Sequence, residues 1–358
     1  MNMDFPAIRR VCTMLAKAPL IATALVALSS NASALSFNFT FTPTSTAQDI
    51  AGFTAAGAFW SSQFTDSVTI NMNVGTAALA TNILAEAGST QGILSYTNFR
   101  NVLNADKTSS TDNAAVSSLA TGSSFGMLLN RTSNNPNGSG SATSYLDNDG
   151  DANNSTIRLN TANAKALGFT FDAAMSDASI TFANSFSWDY DPSNGITSGS
   201  YDFVGIATHE IGHALGFVSG VDILDGNSPP NGGPFADNQF TYVSPLDLFR
   251  YSAASTTAGV IDWTASTTTK YFSLDNGATS IASFSTGVTF GDGQQASHWK
   301  DSLGLGIMDP TAATGELLAI SSQDLIALDA IGWNLVPEPS SILLGSLGVM
   351  LALSRRRR

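Results

Sequence analysis

His209-Glu210-Ile211-Gly212-His213 is the stretch that decides the expected fold and chemistry of this chain. On a helix, residues i and i+4 lie one above the other, so His209 and His213 can share one metal ion. Glu210 is then placed to accept a proton from a metal-bound water. The 358 residues contain three histidines, and two of them stand here at ligand spacing. The stretch predicts a zinc-hydrolase helix; the alternative is a buried helix that carries two histidines by coincidence.

The residues around this stretch favour the zinc helix. Apolar residues precede it at 203–207 (FVGIA) and follow it at Ala214-Leu215, while Gly216 is a natural C-terminal stop. We therefore predict a helix over Asp202–Val218.

The residues alone leave two candidates for the third zinc ligand. A compact form of this zinc motif has a histidine three residues after the glycine, but Ser219 stands there and is a poor zinc ligand. The remaining imidazole is His298, in Ser297-His298-Trp299. Asp222 is the rival candidate, because carboxylates also bind zinc.

Three segments in a fixed order resemble the leishmanolysin-like metzincin zinc metalloproteases. They are His209–Phe217 (HEIGHALGF), Ser297–Trp299 (SHW) and Gly306–Pro310 (GIMDP). The likeness is close within these segments and hardly extends into the 79 residues between the first two. The resemblance implies an α+β fold with a mixed sheet, an active-site helix, a cleft and a mainly irregular C-terminal lobe.

The same resemblance assigns roles to individual residues. It implies zinc ligation by His209, His213 and His298, general-base catalysis by Glu210, and a Met-turn in which Met308 lies beneath the metal without binding it. Three protein ligands leave a fourth position for water, and neutral imidazoles leave the zinc its full charge, which lowers the pKa of that water towards about 7.

The expected activity is that of a zinc-dependent endopeptidase acting on a protein or peptide substrate. Glu210 accepts the proton of the attacking water and delivers it to the leaving amine. The alternative is a catalytically inactive or non-peptide-acting zinc protein of the cell surface or extracellular matrix. The intact Glu210 argues against an inactive site.

Residues 1–34 have the pattern of a secretory signal peptide. Basic residues are followed by the apolar run Leu20–Leu28 and then by Ala32-Ser33-Ala34, an Ala-x-Ala cleavage site. Cys12, the single cysteine, lies inside this segment, so the processed chain has no disulfide.

Residues 337–358 resemble the PEP-CTERM sorting tail of Gram-negative bacteria. Pro337-Glu338-Pro339 precedes the apolar run Ile342–Leu353 and the cluster Arg355–Arg358. The resemblance implies an exported protein, extracellular or at the cell surface, with transient inner-membrane association and cleavage by a sorting peptidase. A permanent anchor is the alternative, although the span is shorter than the usual ~20 residues.

Residues 35–336 are expected to form the metalloprotease domain, with a propeptide within 35–140 left open. This region is large enough for two lobes around a cleft. It holds eight Lys plus Arg against 26 Asp plus Glu, a net charge of −18. Such a surface repels nucleic acid and anionic membranes.

Periodicity and turn residues predict the main elements of this domain. Ala47–Phe64, with Thr46 as N-cap, is the first expected helix. Further helices are predicted over Tyr96–Ala105, Asp112–Thr121, Thr161–Leu167 and Asp324–Trp333. Strands are predicted over Ser67–Val74, Ile157–Leu159 and Ser179–Trp188, the last as an edge strand facing a cleft, and a loop over Asn130–Asn148.

An acidic stretch, Asp147-Asn148-Asp149-Gly150-Asp151, resembles the start of a calcium loop. The bidentate glutamate that closes an EF-hand is missing, so the stretch is not an EF-hand. Calcium binding through Asp147, Asp149 and Asp151 and an acidic, solvated turn remain equally open.

Overall fold

The computed structural model describes residues 35–337. Residues 1–34, predicted as a signal peptide, and residues 338–358 of the predicted tail 337–358 lie outside the described residues, so the hypotheses on export and sorting stay predictions. Within 35–337, no helix is long and apolar enough to cross a membrane.

Most strands in the described part of the chain are short. Their bounds are β1 Ser36–Phe41, β2 Thr69–Ala77, β3 Ala85–Ser89, β4 Gln91–Ser95, β5 Met127–Leu129, β6 Tyr145–Asp147, β7 Thr156–Asn160, β8 Ala178–Ala183, β9 Trp188–Asp189, β10 Tyr201–Asp202, β11 Arg250–Tyr251, β12 Ile261–Asp262, β13 Lys270–Phe272 and β14 Ala282–Phe284.

The helices are interspersed with these strands. Their bounds are α1 Ala47–Ser61, α2 Tyr96–Asp106, α3 Ser110–Ser118, α4 Ala152–Ser155, α5 Thr161–Ala166, α6 Phe203–Leu215, α7 Val221–Asn227, α8 Ala253–Ala258 and α9 Ser322–Ala330. Short 3₁₀ turns lie at Pro192–Asn194, Asp237–Gln239 and Leu246–Phe249.

The largest sheet has four strands in the order β1-β2-β8-β3. The first three run parallel, and β3 pairs antiparallel with β8. Alternate residues of β2, namely Ile70, Met72 and Val74, are buried because successive side chains of a strand point to opposite faces. The architecture is therefore mixed α and β with open sheets, compatible with the expected α+β class.

Helix α1 joins this sheet to the motif helix α6. It begins with the capping box Thr46–Asp49, so the predicted N-cap is confirmed. Gly52 lets the two helices approach closely, since a Cβ there would lie 2.4 Å from a ring carbon of Phe203. The indole of Trp60 donates to the carbonyl oxygen of Thr208 at 2.8 Å. Helix α1 thus packs directly on α6.

Two sequence predictions need correction. Helix α1 ends at Ser61, and Phe64, predicted inside it, lies in a β-bridge with Leu335. The predicted edge strand Ser179–Trp188 is also wrong, because β8 ends at Ala183 and pairs on both sides. Alternating burial identifies a strand with one buried face, and such a strand can be internal.

Other predicted elements are present with small shifts at their ends. Helices α2, α3, α5 and α9 and strands β2 and β7 match their predicted ranges to within three residues at each end. The predicted loop Asn130–Asn148 contains β6, which pairs antiparallel with β5. Between Gly216 and Ser321 the longest described element has seven residues, in line with the expected irregular C-terminal region.

Candidate metal centre and cleft

Helix α6 carries the motif residues on the face that borders a cleft. Asp202 caps its N-terminus by accepting from the backbone N–H of Gly205 at 2.8 Å. The helix ends at Gly216, whose φ of 121° is a conformation that L side chains rarely adopt. The helix predicted over Asp202–Val218 is therefore present as Phe203–Leu215.

The three histidines converge although 85 residues separate His213 from His298. The Nε2 of His213 lies 3.0 Å from that of His209 and 3.1 Å from that of His298. The third separation, between His209 and His298, is 3.3 Å. Nitrogens that bind one tetrahedral zinc at 2.0–2.1 Å stand about 3.3 Å apart, so this spacing fits such an ion.

Backbone carbonyls select the tautomer of each imidazole. Nδ1 of His209 lies 2.7 Å from the carbonyl oxygen of Ile307, and Nδ1 of His213 lies 2.7 Å from that of Phe217. Nδ1 of His298 is 3.3 Å from the carbonyl oxygen of Gln295. A carbonyl only accepts, so each Nδ1 carries the proton and each Nε2 presents a lone pair to the shared centre. Three facing lone pairs repel one another unless a cation lies between them.

Burial keeps these imidazoles neutral. Desolvation lowers the pKa of His209 to about 4 and, with the nearby charge of His209, the pKa of His213 to about 3. The pKa of His298 also falls well below its usual value, mainly through burial. Neutral imidazole is the form that binds metal ions, so near pH 7 all three side chains are in the binding form.

Met308, expected from the resemblance as the Met-turn residue, packs against the motif helix at Gly212. It is fully buried, and a Cβ on Gly212 would lie 2.5 Å from its sulfur. The backbone N–H of Trp299 donates to the carbonyl oxygen of Met308 at 2.9 Å, which joins the turn to the loop of His298. Gly212 of the motif therefore makes room for Met308.

Asp324, at the start of α9, holds the same two loops and was not found by sequence reasoning. Its carboxylate accepts from the indole of Trp299 and the backbone N–H of Ile307, each at 2.8 Å, and from that of Met308 at 3.3 Å. It also completes the capping box of α9 with Ser321. Asp324 thus orients both the residue after His298 and the carbonyl that His209 contacts.

The rival ligand Asp222 makes different contacts. Its carboxylate accepts from the backbone N–H of Ala296 at 2.6 Å, and from the backbone N–H and hydroxyl of Ser297. It is absent from the group of three side chains whose ligand atoms converge, His209, His213 and His298. Asp222 therefore braces the segment that delivers His298 to the centre.

Ser219, at the position of the compact third ligand, faces a second carboxylate. Its hydroxyl donates to Asp247, and its backbone N–H donates to the hydroxyl of Ser297 at 2.8 Å. Asp247 also accepts from the N–H groups of Gly220, Ser244 and the Trp263 indole. The residues after α6 thus turn towards a buried network, and no local pattern in the sequence marks Asp247 for this role.

Glu210 is buried beside the histidines at the base of the cleft. Burial, with a smaller contribution from the charge of Glu86, raises the pKa of Glu210 to about 8. The cleft has a volume of about 860 Å³, and all three histidines and Glu210 line it. A carboxylate with a pKa near neutrality can exchange protons with a substrate at ordinary pH.

One wall of the cleft is the edge strand β3, which the sequence did not predict. Ala85, Glu86, Ala87 and Ser89 all line the cleft, while the strand pairs with β8 on its other side. The charged residues that line the cleft are Glu86, Glu210, Asp222 and Asp309, and no lysine or arginine is among the lining residues. The cleft thus combines an exposed strand edge with an acidic lining.

The acidic stretch at Asp147–Asp151 lies apart from the residues that line this cleft. Asp147 is buried, Asp149 is exposed, and Asp151 caps α4. In the stretch Trp188–Pro192, Trp188 and Asp189 form β9, and the carboxylate of Asp189 accepts from the backbone N–H groups of Asp191 and Thr197.

No protein-family model, curated protein or solved structure matches this chain. Functional inference therefore depends on the geometry of the centre and the cleft.

Proposed function

We propose that this protein is an exported zinc-dependent endopeptidase of the metzincin type. His209, His213 and His298 would hold the zinc, Glu210 would act as general base, and the cleft beside β3 would hold the polypeptide substrate.

The observation that carries the proposal is the convergence of three Nε2 lone pairs at separations of 3.0–3.3 Å. The backbone carbonyls at Ile307, Phe217 and Gln295 fix the protons on the opposite nitrogens. Imidazole suits zinc, and a site with three protein ligands that opens on a cleft is typical of catalytic rather than structural zinc.

Glu210 supplies the proton transfers. When bound, zinc supplies a Lewis acid that polarises the scissile carbonyl and acidifies water. Glu210 takes a proton from the attacking water and returns it to the leaving amine. A divalent cation beside the carboxylate favours its charged form, so zinc would lower the pKa of Glu210 from about 8 and keep it basic at neutral pH.

The exposed edge of β3 supports a polypeptide substrate. An extended peptide can add to a free strand edge through main-chain hydrogen bonds, with its alternate side chains directed into and away from the cleft. The fully buried core beneath β3 and α6 keeps this edge fixed relative to Glu210. A small-molecule hydrolase has no need of a strand edge beside its catalytic groups.

The test is proteolysis by the purified protein with its zinc removed and restored. Casein cleavage should stop with a zinc chelator and return with added zinc. Glu210→Gln keeps the size of the side chain but removes its basicity, so turnover should fall by about 10²–10⁴-fold while bound zinc stays at one per chain.

Glu316→Gln is the matched control, because Glu316 is exposed and does not line the cleft. It should leave casein cleavage unchanged. Near-native activity of Glu210→Gln, or cleavage that survives complete zinc removal, would exclude the mechanism. Zinc binding without cleavage of any protein would favour a non-peptide-acting or inactive zinc protein.

A further inference from the structure

Two buried carboxylates lie near each other on the side of the domain that carries β6. Asp147 ends β6, and Asp237 starts the 3₁₀ turn Asp237–Gln239; they are 4% and 8% exposed. The hydroxyl of Tyr145 donates to Asp237 at 3.3 Å across 92 residues of sequence. The pair is therefore assembled by the tertiary structure and not by the acidic loop alone.

Neither carboxylate has a cationic partner. The ion pairs within residues 35–337 are Lys165–Asp177, Lys270–Asp262 and Lys300–Asp292. Burial raises the pKa of Asp147 to about 6, and the charges of Asp237, Asp149 and Asp151 raise it as well. Two desolvated carboxylates of like charge are unfavourable unless a cation is shared between them.

A third oxygen at this place has no partner. The side chain of Asn153, in α4, is fully buried, and its Nδ2 donates to Asp147 at 2.8 Å. The Oδ1 of the same amide makes no hydrogen bond. A buried amide oxygen without a donor costs about 1–3 kcal/mol, so native proteins almost always satisfy such an atom. Oδ1 and Nδ2 share one carbon, so this oxygen lies close to the carboxylate of Asp147, and α4 packs against the 3₁₀ turn that begins at Asp237.

We propose that Asp147, Asp237 and the Oδ1 of Asn153 form a calcium site. Carboxylate and amide oxygens are the ligands that Ca²⁺ takes, and its flexible coordination suits ligands from separate segments better than the strict octahedron of Mg²⁺. The ion would neutralise the carboxylate pair and satisfy the amide oxygen.

The proposed site differs from the calcium loop expected from the sequence. Asp149 and Asp151 accept hydrogen bonds from the backbone N–H groups of Asp151 and Asn153, so they shape the turn before α4. Their charges strengthen the local negative potential. Asp237 and Asn153 replace them as ligands, and the ion would link the β6–α4 segment to the 3₁₀ turn.

Thermal unfolding of the zinc-loaded protein with and without added Ca²⁺ tests the site. At a hundredfold excess over its Kd, Ca²⁺ should raise the melting temperature by about 5 °C for a domain of this size. Mg²⁺ at the same concentration should give a smaller rise. In Asp237→Asn the Ca²⁺-dependent rise should disappear, while the calcium-free protein should be at least as stable as the wild type.

Two control variants test whether the Ca²⁺ response is specific to the proposed site. Asp172→Asn makes the same change on an exposed turn and should keep the full Ca²⁺ response. His298→Ala should also keep it, since the calcium site does not depend on the histidines. A response that is absent in the wild type, unchanged in Asp237→Asn, or lost in His298→Ala would each overturn the proposal.

Discussion

At the scale of single residues, the centre is organised by contacts that the histidines make on their outer side. Each Nδ1 faces a backbone carbonyl, and those carbonyls belong to segments held by buried carboxylates. Asp222 binds the two residues before His298, and Asp324 binds Ile307, the partner of His209. Groups in this outer layer orient metal ligands and tune their basicity.

The first prediction separates a ligand from its support. His298→Ala should reduce bound zinc and casein cleavage to background, because it removes one of three converging nitrogens. Asp222→Ala should keep zinc at saturating concentration but lower its affinity by about 10–100-fold, the usual effect of losing an outer-layer partner. Competition with a metal indicator measures both affinities. If Asp222→Ala removed zinc as completely as His298→Ala, Asp222 would have to be a ligand.

At the scale of elements, α9 holds the loops next to the three histidines although it does not line the cleft. Its capping carboxylate, Asp324, accepts from the backbone of the Met308 turn and from the indole of Trp299. The capping carboxylate of a helix ordinarily accepts only from backbone N–H groups of the first turn of that helix. Asp324 also accepts from donors in two loops. This sharing explains how a region without long strands or helices keeps His298 in place.

The second prediction concerns this helix start. Asp324→Asn replaces one acceptor oxygen by an NH₂ group that faces N–H donors, so it should lower the unfolding free energy by roughly 1–3 kcal/mol. Zinc affinity should fall too, because Ile307 and Trp299 lose their common anchor. Denaturant unfolding and zinc competition measure the two effects.

Asp301→Asn is the control for that measurement. Asp301 follows Trp299 closely in sequence but accepts from the hydroxyl of Thr311, which an amide oxygen can replace. Its stability and zinc affinity should stay near the wild-type values. Equal behaviour of the two variants would show that Asp324 has no special role in holding the loops.

At the scale of the whole molecule, the excess of acidic residues has a structural use. Eight Lys plus Arg face 26 Asp plus Glu in residues 35–336, so most carboxylates cannot form ion pairs. Many accept backbone N–H groups instead, as Asp225 does from Thr289 and Phe290. Short carboxylates thus satisfy irregular backbone that no strand ladder pairs. As a result, several carboxylates of like charge lie near one another where chain segments pack together, and their repulsion lowers the stability of the fold.

The third prediction is a pH dependence of that crowding. Burial raises the pKa of Asp106 to about 6, and the charges of Asp66 and Asp112 add to the effect. A raised folded-state pKa means that the stability from this group is present below its unfolded value near 4 and is lost as the pH rises through about 6. Asp106→Asn should therefore raise the melting temperature more at pH 7.5 than at pH 4.

Melting curves at the two pH values, each compared with the wild type, decide this point. Asp172→Asn, on an exposed turn, should change the melting temperature little at either pH. A gain from Asp106→Asn that is equal at pH 4 and pH 7.5 would contradict the assignment of strain to the ionised carboxylate.

The fourth prediction concerns the N-terminal boundary of the active protein. Strands β1 and β2 belong to the main sheet, and Trp60 of α1 bonds to the motif helix. Residues 35–77 therefore contribute to the same core as the histidines, and we expect the active, exported form to begin at or near Leu35. Mass spectrometry of the active protein identifies its first residue. An active form that begins beyond Ala77 would instead show that this segment is a removable propeptide.

The sequence by itself determined the features that depend on neighbours along the chain. The spacing of His209 and His213, the cap at Thr46 and the stop at Gly216 follow from helix geometry, which acts over a few residues. The resemblance also singled out His298 and Met308. These local rules located helices α1, α2, α3, α5, α6 and α9 and strands β2 and β7 to within three residues at each end.

Only the tertiary structure decided which distant groups meet. The convergence of His298 with α6, the edge position of β3, and the hydrogen bond from Tyr145 to Asp237 all join residues far apart in sequence. Asp222, Asp247 and Asp324 received no positioning role from the sequence, because each satisfies N–H donors that become buried only after folding. Local periodicity in the sequence predicts which side of a helix or strand is apolar. The buried N–H donor that a given carboxylate accepts from is decided by packing across the whole domain.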